Sequence, residues 1–292
     1  MCVLKMIAID LDGTLLNSKK RISPENLEAL KRTVENHHLV TIVTGRNIMD
    51  VRAFLNHAVS LPIIASNGAT VYDRDGTLLS ETPLDHEQAE EIIHYALEHG
   101  VYFEVTTKDS LLSPVTGEEI LRNEIAKKKL MNPLTDTELL WQSAAAQLSQ
   151  VSLRPTENMK AILTKEKPIF KVLIASFFPN TLDRFKILFA DRQAITCTSS
   201  AASTVEFISS KIDKGKAICN LARKYGIKNE DIVVIGDSPN DLSMFREAGV
   251  RIAMGNAIPS IKAISTMITR DCEQNGVAYA LKNQLSLYAQ PK

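Results

Sequence analysis

The sequence predicts an α/β fold whose parallel-sheet core is interrupted by a smaller inserted α+β domain. Short apolar segments alternate with helical segments over about the first 80 residues, and this alternation returns after residue 208. Between residues 84 and 207, strands and helices follow one another without that strict alternation. Apolar strands separated by helices are typical of a parallel sheet covered on both faces. We therefore expect residues 1–83 and 208–292 to form the core, and residues 84–207 to form the insertion.

The first part of the core has clear local signals. Its apolar runs predict three strands, at residues 3–10, 39–44 and 61–69. Ser23 and Pro24 predict the start of a helix, because Ser is a favoured N-cap and Pro suits the first helical position. Apolar residues at helical spacing predict a second helix over 47–58. Asp75 and Gly76 predict the turn of a hairpin.

The remaining elements follow from the same patterns. In the second part of the core, we expect helices at 214–226, 240–249 and 258–263, strands at 230–238, 250–256 and 266–270, and a further helix in the tail from residue 276. In the insertion, we expect helices at 85–100, over 117–147 and from residue 181, and strands at 101–107, 169–177, 195–198 and 204–208.

Composition argues against several classes of function. The 292 residues carry 34 acidic and 34 basic side chains, whereas nucleic-acid binding relies on a basic surface. No apolar run approaches the roughly 20 residues of a membrane-spanning helix, and the first strand begins too early for a signal peptide. Cys2, Cys197, Cys219 and Cys272 lack the spacing of a zinc site or a disulfide framework. We expect a cytoplasmic protein with reduced thiols, a monomer or weak homo-oligomer, that binds neither nucleic acid nor membrane.

Chemically active residues collect at one edge of the predicted sheet, where ligands bind in open parallel sheets. The residues that follow the carboxyl ends of the strands are Asp10, Leu11, Asp12, Gly13, Thr44, Gly45, Arg46, Ser66, Asn67, Gly68, Asp237, Asn240 and Asp241. Lys214 joins them at the start of a helix that Asp213 can cap. Acids, a hydroxyl group, a lysine and backbone amides are therefore expected at the same edge.

Asp10 and Asp12 predict a magnesium site. They are two residues apart, so their side chains leave an extended backbone on the same side. Two close carboxylates repel each other and stay ionised only beside a cation. Mg²⁺ accepts a site of few carboxylates completed by water and substrate phosphate. Asp237 is the natural third ligand.

The same edge predicts phosphoryl transfer. Thr44, the amide of Gly45 and Lys214 form an electropositive cup for a phosphoryl group. Asp10 is expected to attack phosphorus and form an aspartyl-phosphate. Asp12 is expected to protonate the leaving oxygen and then to take a proton from the hydrolytic water. Mg²⁺ and Lys214 would neutralise charge on the transferred oxygens.

Four motifs, "DLDGTLL", "TIVTGR", "DKGKA" and "GDSPND", occur in this order and resemble the signature motifs of the haloacid dehalogenase superfamily. The insertion between the second and third motifs resembles the type IIB cap of the Cof-like phosphatases. The resemblance spans the whole chain. It implies a Rossmann-like core and a small phosphorylated metabolite as substrate. Some members of the family act on the phosphoribitylamino-uracil intermediate of riboflavin synthesis.

By position in these motifs, the resemblance implies a role for each residue. Asp10 would be nucleophile and magnesium ligand, and Asp12 would be the acid/base that binds magnesium through its main-chain carbonyl. Asp237 would be the third protein ligand, with Asp241 directly behind it. The phosphate would be held by the backbone amide of Leu11 and by Thr44, Gly45, Lys214 and Asn240.

Two other functions stay open at this point. A phospho-accepting signalling protein also combines an Asp, a carboxylate pair, a Thr and a Lys with magnesium, but it needs neither Asp12 nor the insertion. A phosphosugar mutase needs both Asp10 and Asp12, so the sequence separates it poorly from a phosphatase. Whether Arg46 and Asn67 contact the substrate also stays open.

Overall fold

The computed structural model describes residues 4–157 and 167–285. The first part of the chain contains β1 (Met6–Asp10), α1 (Pro24–Glu35), β2 (Leu39–Val43), α2 (Ile48–Leu55), β3 (Ile63–Ala65), β4 (Thr70–Tyr72) and β5 (Leu78–Glu81). The middle part contains α3 (His86–Glu98), β6 (Tyr102–Thr106), β7 (Leu111–Pro114), α4 (Gly117–Met131), α5 (Thr137–Leu148), β8 (Leu153–Thr156), β9 (Lys171–Ala175), α6 (Pro179–Phe189), β10 (Ile195–Thr198) and β11 (Thr204–Ser209). The last part contains α7 (Lys214–Lys224), β12 (Ile232–Gly236), α8 (Leu242–Glu247), β13 (Val250–Ala253), α9 (Pro259–Ala263), β14 (Met267–Ile268) and α10 (Gly276–Tyr279).

The chain divides into two compact units. One combines the residues up to Glu81 with those from Ile212 onward, and the other is Thr82–Lys211. The first unit is the core, and the second is built on the inserted segment.

The core contains an eight-stranded sheet in the order β14-β13-β12-β1-β2-β3-β4-β5. The strands from β14 to β3 run parallel, and β4 and β5 pair antiparallel to their neighbours. Every residue of β1 and β12 is buried, as strands covered on both faces must be. The predicted α/β core is confirmed, and the carboxyl ends of its parallel strands lie at one edge of the sheet.

Local signals in the core are confirmed, although the ends of several elements differ. The Ser23 hydroxyl accepts a hydrogen bond from the amide of Asn26, and Pro24 opens α1. The predicted hairpin is formed by β4 and β5, with Gly76 at φ +85° in its turn. The strand predicted at 3–10 begins at Met6, and residue 3 lies outside the described residues. The helix predicted at 240–249 is a short 3₁₀ turn followed by α8.

The second unit contains a six-stranded sheet in the order β10-β11-β9-β6-β7-β8. Its strands pair antiparallel, except that β7 and β8 run parallel. One apolar cluster joins α3 and α6 to sheet residues that include Phe103 and Phe207. A second cluster joins α4 and α5 to Tyr102 and Leu173. Because successive residues of a strand point to opposite faces, the two helix pairs cover opposite faces of this sheet.

In the insertion, two predictions were wrong and two strands were not predicted. The helical region predicted at 117–147 is two helices, and the second begins where Asp136 accepts a hydrogen bond from the amide of Leu139. β7 and β8 were not predicted, because each has four residues and each contains a proline, Pro114 and Pro155. α6 begins at Pro179 rather than at residue 181; Pro is favoured at the first helical position.

Glu104 is a buried acid on β6 that has several hydrogen-bond donors around it. The Tyr102 hydroxyl donates to it at 2.7 Å, and the side-chain amides of Gln147 and Gln150 donate at 2.8 and 3.2 Å. Burial raises the pKa of Glu104, although these donors and Lys171 oppose the shift. The network ties the end of α5 to the sheet.

Within the described ranges, no helix is both long enough and apolar enough to span a bilayer. Cys197, Cys219 and Cys272 are free thiols, and Cys2 lies outside the described residues.

Candidate active site

Asp10, Lys214 and Asp241 form a buried charged cluster at the carboxyl edge of the core sheet. Asp10 ends β1, and Lys214 opens α7, which Asp213 caps by accepting the amide of Lys216 at 2.7 Å. The Lys214 ammonium donates to Oδ1 of Asp10 at 2.6 Å and to Oδ1 of Asp241 at 2.7 Å. The Lys214 side chain is inaccessible to solvent. One lysine therefore holds two acids from distant parts of the chain.

Asp237 adds a third carboxylate to this cluster. Oxygens of Asp10, Asp237 and Asp241 lie within 4.8 Å of one another. Asp237 accepts a hydrogen bond from the Thr14 hydroxyl at 3.1 Å. The other oxygen of Asp241 accepts the amides of Asp237 and Ser238, at 2.9 and 3.1 Å. Both oxygens of Asp241 are therefore held by hydrogen bonds from the protein.

The two oxygens of Asp10 differ in their surroundings. Oδ1 accepts the hydrogen bond from Lys214, whereas Oδ2 is buried and has no hydrogen-bond partner among the described residues. A buried carboxylate oxygen without a partner is costly and calls for an explanation. An oxygen-seeking cation beside Asp10 and Asp237 supplies one. The donor set is all oxygen, which suits a hard divalent cation.

The pKa shifts in the cluster also favour a bound cation. Burial and the neighbouring charge of Asp241 raise the pKa of Asp10 well above its ordinary value, although Lys214 opposes the shift. Burial and Asp241 likewise raise the pKa of Asp237 to about 7. Burial favours the neutral form of Lys214, but Asp10 and Asp241 raise its pKa overall. Three carboxylates around one ammonium leave an excess of negative charge that a cation would balance.

The carboxylate of Asp12 is held by two basic side chains. Nε of Arg46 donates to it at 2.5 Å and Nη2 at 2.8 Å, and the ammonium of Lys20 donates at 2.7 Å. Burial favours the protonated form of Asp12, but Arg46 and Lys20 hold its pKa well below the ordinary range. The Arg46 guanidinium also lies 5.0 Å above the ring of Phe54. In this arrangement Asp12 is an ionised carboxylate.

The predicted phosphate-binding residues lie on neighbouring loops. Thr44 and Gly45 follow β2, and the Thr44 hydroxyl accepts the amide of Arg46 at 3.1 Å. Asn240 lies in the 3₁₀ turn after β12, where its side-chain amide donates to Oδ1 of Asn67 at 3.2 Å. Leu11 lies between Asp10 and Asp12 and is fully buried.

Two polar residues near the cluster were not predicted. Thr14 donates to Asp237, and the side-chain amide of Asn256 donates to the carbonyl of Gly13 at 2.8 Å and lies 3.4 Å from Asp237. A sequence signal for Asn256 was available, because it follows the carboxyl end of β13 as the other site residues follow their strands. Thr14 lies four residues after Asp10, in a turn that gives no such signal.

Comparisons with known proteins identify the family of this chain. A family model described as haloacid dehalogenase-like hydrolase matches residues 7–281. The chain is 44% identical to the 5-amino-6-(5-phospho-D-ribitylamino)uracil phosphatase YwtE of Bacillus subtilis, over 97% of this chain and 99% of that protein. It is 34% identical to the phosphatase YwpJ of the same organism, over 97% of this chain and all of that protein. A solved haloacid dehalogenase-like hydrolase from B. subtilis superimposes with a TM-score of 0.85 at 33% identity, over 97% of this chain and 100% of the other.

Proposed function

Because this chain belongs to the haloacid dehalogenase-like hydrolases and is a phosphatase of small phosphorylated metabolites, we propose that it works through a phosphorylated Asp10 and requires Mg²⁺. The observation that carries the proposal is the environment of Asp10. One of its oxygens is fixed by Lys214 at 2.6 Å, and the other is buried without a partner among the described residues. The Lys214 hydrogen bond fixes the orientation of the carboxylate, as a nucleophile requires, and leaves the second oxygen available to a cation.

We assign Mg²⁺ to Asp10, Asp237 and the main-chain carbonyl of Asp12. The orphaned oxygen of Asp10 and the surplus of carboxylates support a divalent cation here. When bound, Mg²⁺ would keep the carboxylates ionised and offset charge on the phosphoryl oxygens. Asp241 would contribute through Lys214 and the backbone amides it accepts, rather than as a ligand.

The covalent step begins with Asp10. Its carboxylate oxygen attacks phosphorus, the bond from phosphorus to the ester oxygen breaks, and an aspartyl-phosphate forms. The leaving oxygen takes a proton from Asp12. Backbone amides at Leu11 and Gly45, with the side chains of Thr44, Lys214 and Asn240, would bind the phosphoryl oxygens.

Hydrolysis completes the cycle. Asp12 accepts a proton from a water molecule whose oxygen attacks phosphorus, the bond to Asp10 breaks, and inorganic phosphate is released. For the first half of the cycle Asp12 must carry a proton, which the ion pair with Arg46 and Lys20 disfavours. We therefore propose that Asp12 leaves Arg46 before it protonates the leaving group.

We assign recognition of the leaving group to the insertion, residues 84–207. The proposed core residues account for the phosphoryl group and the cation, and none of them is needed for the rest of a substrate. The relative at 44% identity is named for a ribityl phosphate ester, so we propose sugar phosphates and ribityl-type phosphate esters as the substrate class.

The test is a panel of phosphate esters with Mg²⁺, in which released inorganic phosphate is measured. The panel contains hexose phosphates, 5-amino-6-(5-phospho-D-ribitylamino)uracil, pyridoxal phosphate and p-nitrophenyl phosphate. We expect a sugar or ribityl ester to give the highest kcat/KM. A phosphorylated product that appears only with a bisphosphate activator would indicate a mutase instead. Wild-type protein that retains phosphate without releasing it would indicate a phospho-accepting module.

A further inference from the structure

Three residues after β3 have an unusual backbone. Ser66, Asn67 and Gly68 all have positive φ, at 50°, 56° and 102°. Such values are unfavourable for a non-glycine residue and persist where the surrounding structure enforces them. Asn tolerates this conformation better than most residues. We call residues 66–68 the β3 loop.

Hydrogen bonds to the neighbouring loop hold the β3 loop in this conformation. The amide of Ser66 donates to the carbonyl of Arg46, and the amide of Asn67 donates to the carbonyl of Thr44, both at 2.9 Å. The β3 loop is thereby fastened to the residues that follow β2. Two backbone hydrogen bonds from consecutive residues fix both the position and the direction of that segment.

The Asn67 side chain extends the connection to a second loop. It is 2% exposed, and its Oδ1 accepts a hydrogen bond from the side chain of Asn240 at 3.2 Å. A Cβ atom at Gly45 would lie 3.0 Å from the same oxygen, so the Asn67 side chain packs directly against the Gly45 backbone. One side chain therefore touches two of the residues proposed to bind phosphate.

Gly68 brings the β3 loop against the start of α7. A Cβ atom at Gly68 would lie 2.6 Å from the carbonyl oxygen of Asp213, the residue directly before Lys214. Only glycine permits this approach, because the backbone at residue 68 has a positive φ and because a Cβ atom there would collide with the backbone of Asp213. The β3 loop thus contacts the loop after β2, the turn after β12 and the cap of α7.

We propose that Asn67 is a positioning residue that sets the spacing between Asn240 and the Thr44–Gly45 backbone, and so the geometry of the phosphate cup. The proposal rests on the phosphate-binding role given above to Thr44, Gly45 and Asn240. Asn67 acts through these residues, because its Oδ1 is engaged by Asn240. Its left-handed backbone is the means by which a buried side chain reaches both loops.

Asn67→Gly tests the side chain without changing the backbone conformation, because glycine readily adopts the same φ. We expect KM for p-nitrophenyl phosphate and the inhibition constant of inorganic phosphate to rise about tenfold, as expected for loss of one well-placed hydrogen bond. We expect kcat to fall less than KM rises. Asn56→Gly is the matched control, since Asn56 also has positive φ, at 42°, but is exposed at the end of α2. It should change neither constant.

Asn67→Asp gives a second readout. Aspartate keeps an acceptor for Asn240 and tolerates positive φ, but it adds a negative charge beside the cup. We expect inhibition by inorganic phosphate to weaken further than in Asn67→Gly. A residue with a purely structural role would show the opposite order, with the aspartate variant closer to wild type in its phosphate inhibition.

A double-mutant cycle tests whether Asn67 acts through Asn240. If Asn67 acts through Asn240, the Asn67→Gly substitution should raise the phosphate inhibition constant much less in the Asn240→Ala variant than in the wild-type protein. Fully additive effects, or unchanged phosphate inhibition in Asn67→Gly, would overturn the proposal. Failure of the proposed function would look different, because the wild-type protein itself would then lack magnesium-dependent phosphate release.

Discussion

Lys214 and Asp10, which are 204 residues apart in the sequence, form a buried ion pair of 2.6 Å. The pair connects the start of α7 to the end of β1. Lys214 also donates to Asp241 at 2.7 Å, so it is the only positive charge that the described residues place in direct contact with Asp10 or Asp241. Its removal would leave two buried acids without a counter-charge.

Lys214→Ala should therefore reduce both stability and activity. Breaking a buried ion pair by removing one partner typically costs about 3–5 kcal/mol of unfolding free energy. We expect a loss near the lower end of that range, because protonation of Asp10 can relieve part of the repulsion. Denaturant unfolding of the metal-free protein measures this loss of unfolding free energy. Lys216→Ala is the control, because Lys216 is exposed on the same helix turn, and it should change stability by less than about 0.5 kcal/mol.

Asp12→Asn should lose the proton transfer but keep the main-chain carbonyl. We expect kcat to fall roughly 10²–10⁴-fold for alkyl phosphates, the usual contribution of general acid–base catalysis. The loss should be smaller for p-nitrophenyl phosphate, whose leaving group needs little protonation. Steady-state kinetics on both substrates gives the comparison. An equal loss on both would contradict the acid role.

Metal removal should abolish activity, and Mg²⁺ should restore it. Mg²⁺ should also raise the thermal midpoint, because it binds the folded cluster and balances its negative charge. Ca²⁺ should bind and inhibit, since it prefers more ligands at longer distances. Asp237→Asn should weaken the midpoint shift produced by Mg²⁺. Full activity after exhaustive chelation would contradict the assignment of Asp10 and Asp237 as ligands.

The buried carboxyl group of Glu104 should make the stability of the insertion depend on pH. Burial raises its folded pKa, so the native state binds its proton more tightly than the unfolded state does. The unfolding free energy should therefore fall as pH rises above the unfolded pKa of about 4.3. Glu104→Gln should lose less stability than the wild type between about pH 5 and pH 8. The exposed Glu87→Gln variant should follow the wild type, and identical slopes in all three proteins would contradict this account.

The sequence predicted the core and the position of the site because both depend on local patterns. Apolar strands flanked by helices define a parallel sheet, and its carboxyl edge brings Asp10 and Asp237 together. The errors lie where the local signal is weak. β8 has four residues and an internal Pro155. The break after α4 is different, because Asn132 and Pro133 directly after Met131 are a local signal for a helix end that the prediction overlooked.

Side-chain partners across the fold were less accessible to sequence reasoning. Arg46 and Asn67 were recognised as candidates, but their partners Asp12 and Asn240 are 34 and 173 residues away. No periodicity or spacing connects such positions. Only the register of the strands and the shapes of the loops between them bring these side chains together.

The most direct test of the covalent mechanism is to trap the phosphorylated enzyme. The Asp12→Asn variant, which should hydrolyse the intermediate slowly, is mixed with ³²P-labelled substrate and Mg²⁺, quenched in acid and digested with a protease. We predict an acid-stable, hydroxylamine-sensitive phosphoryl group on the peptide that contains Asp10, and none when Asp10→Asn is added. Label on another residue, or turnover by Asp10→Asn within tenfold of wild type, would contradict the role of Asp10 as nucleophile.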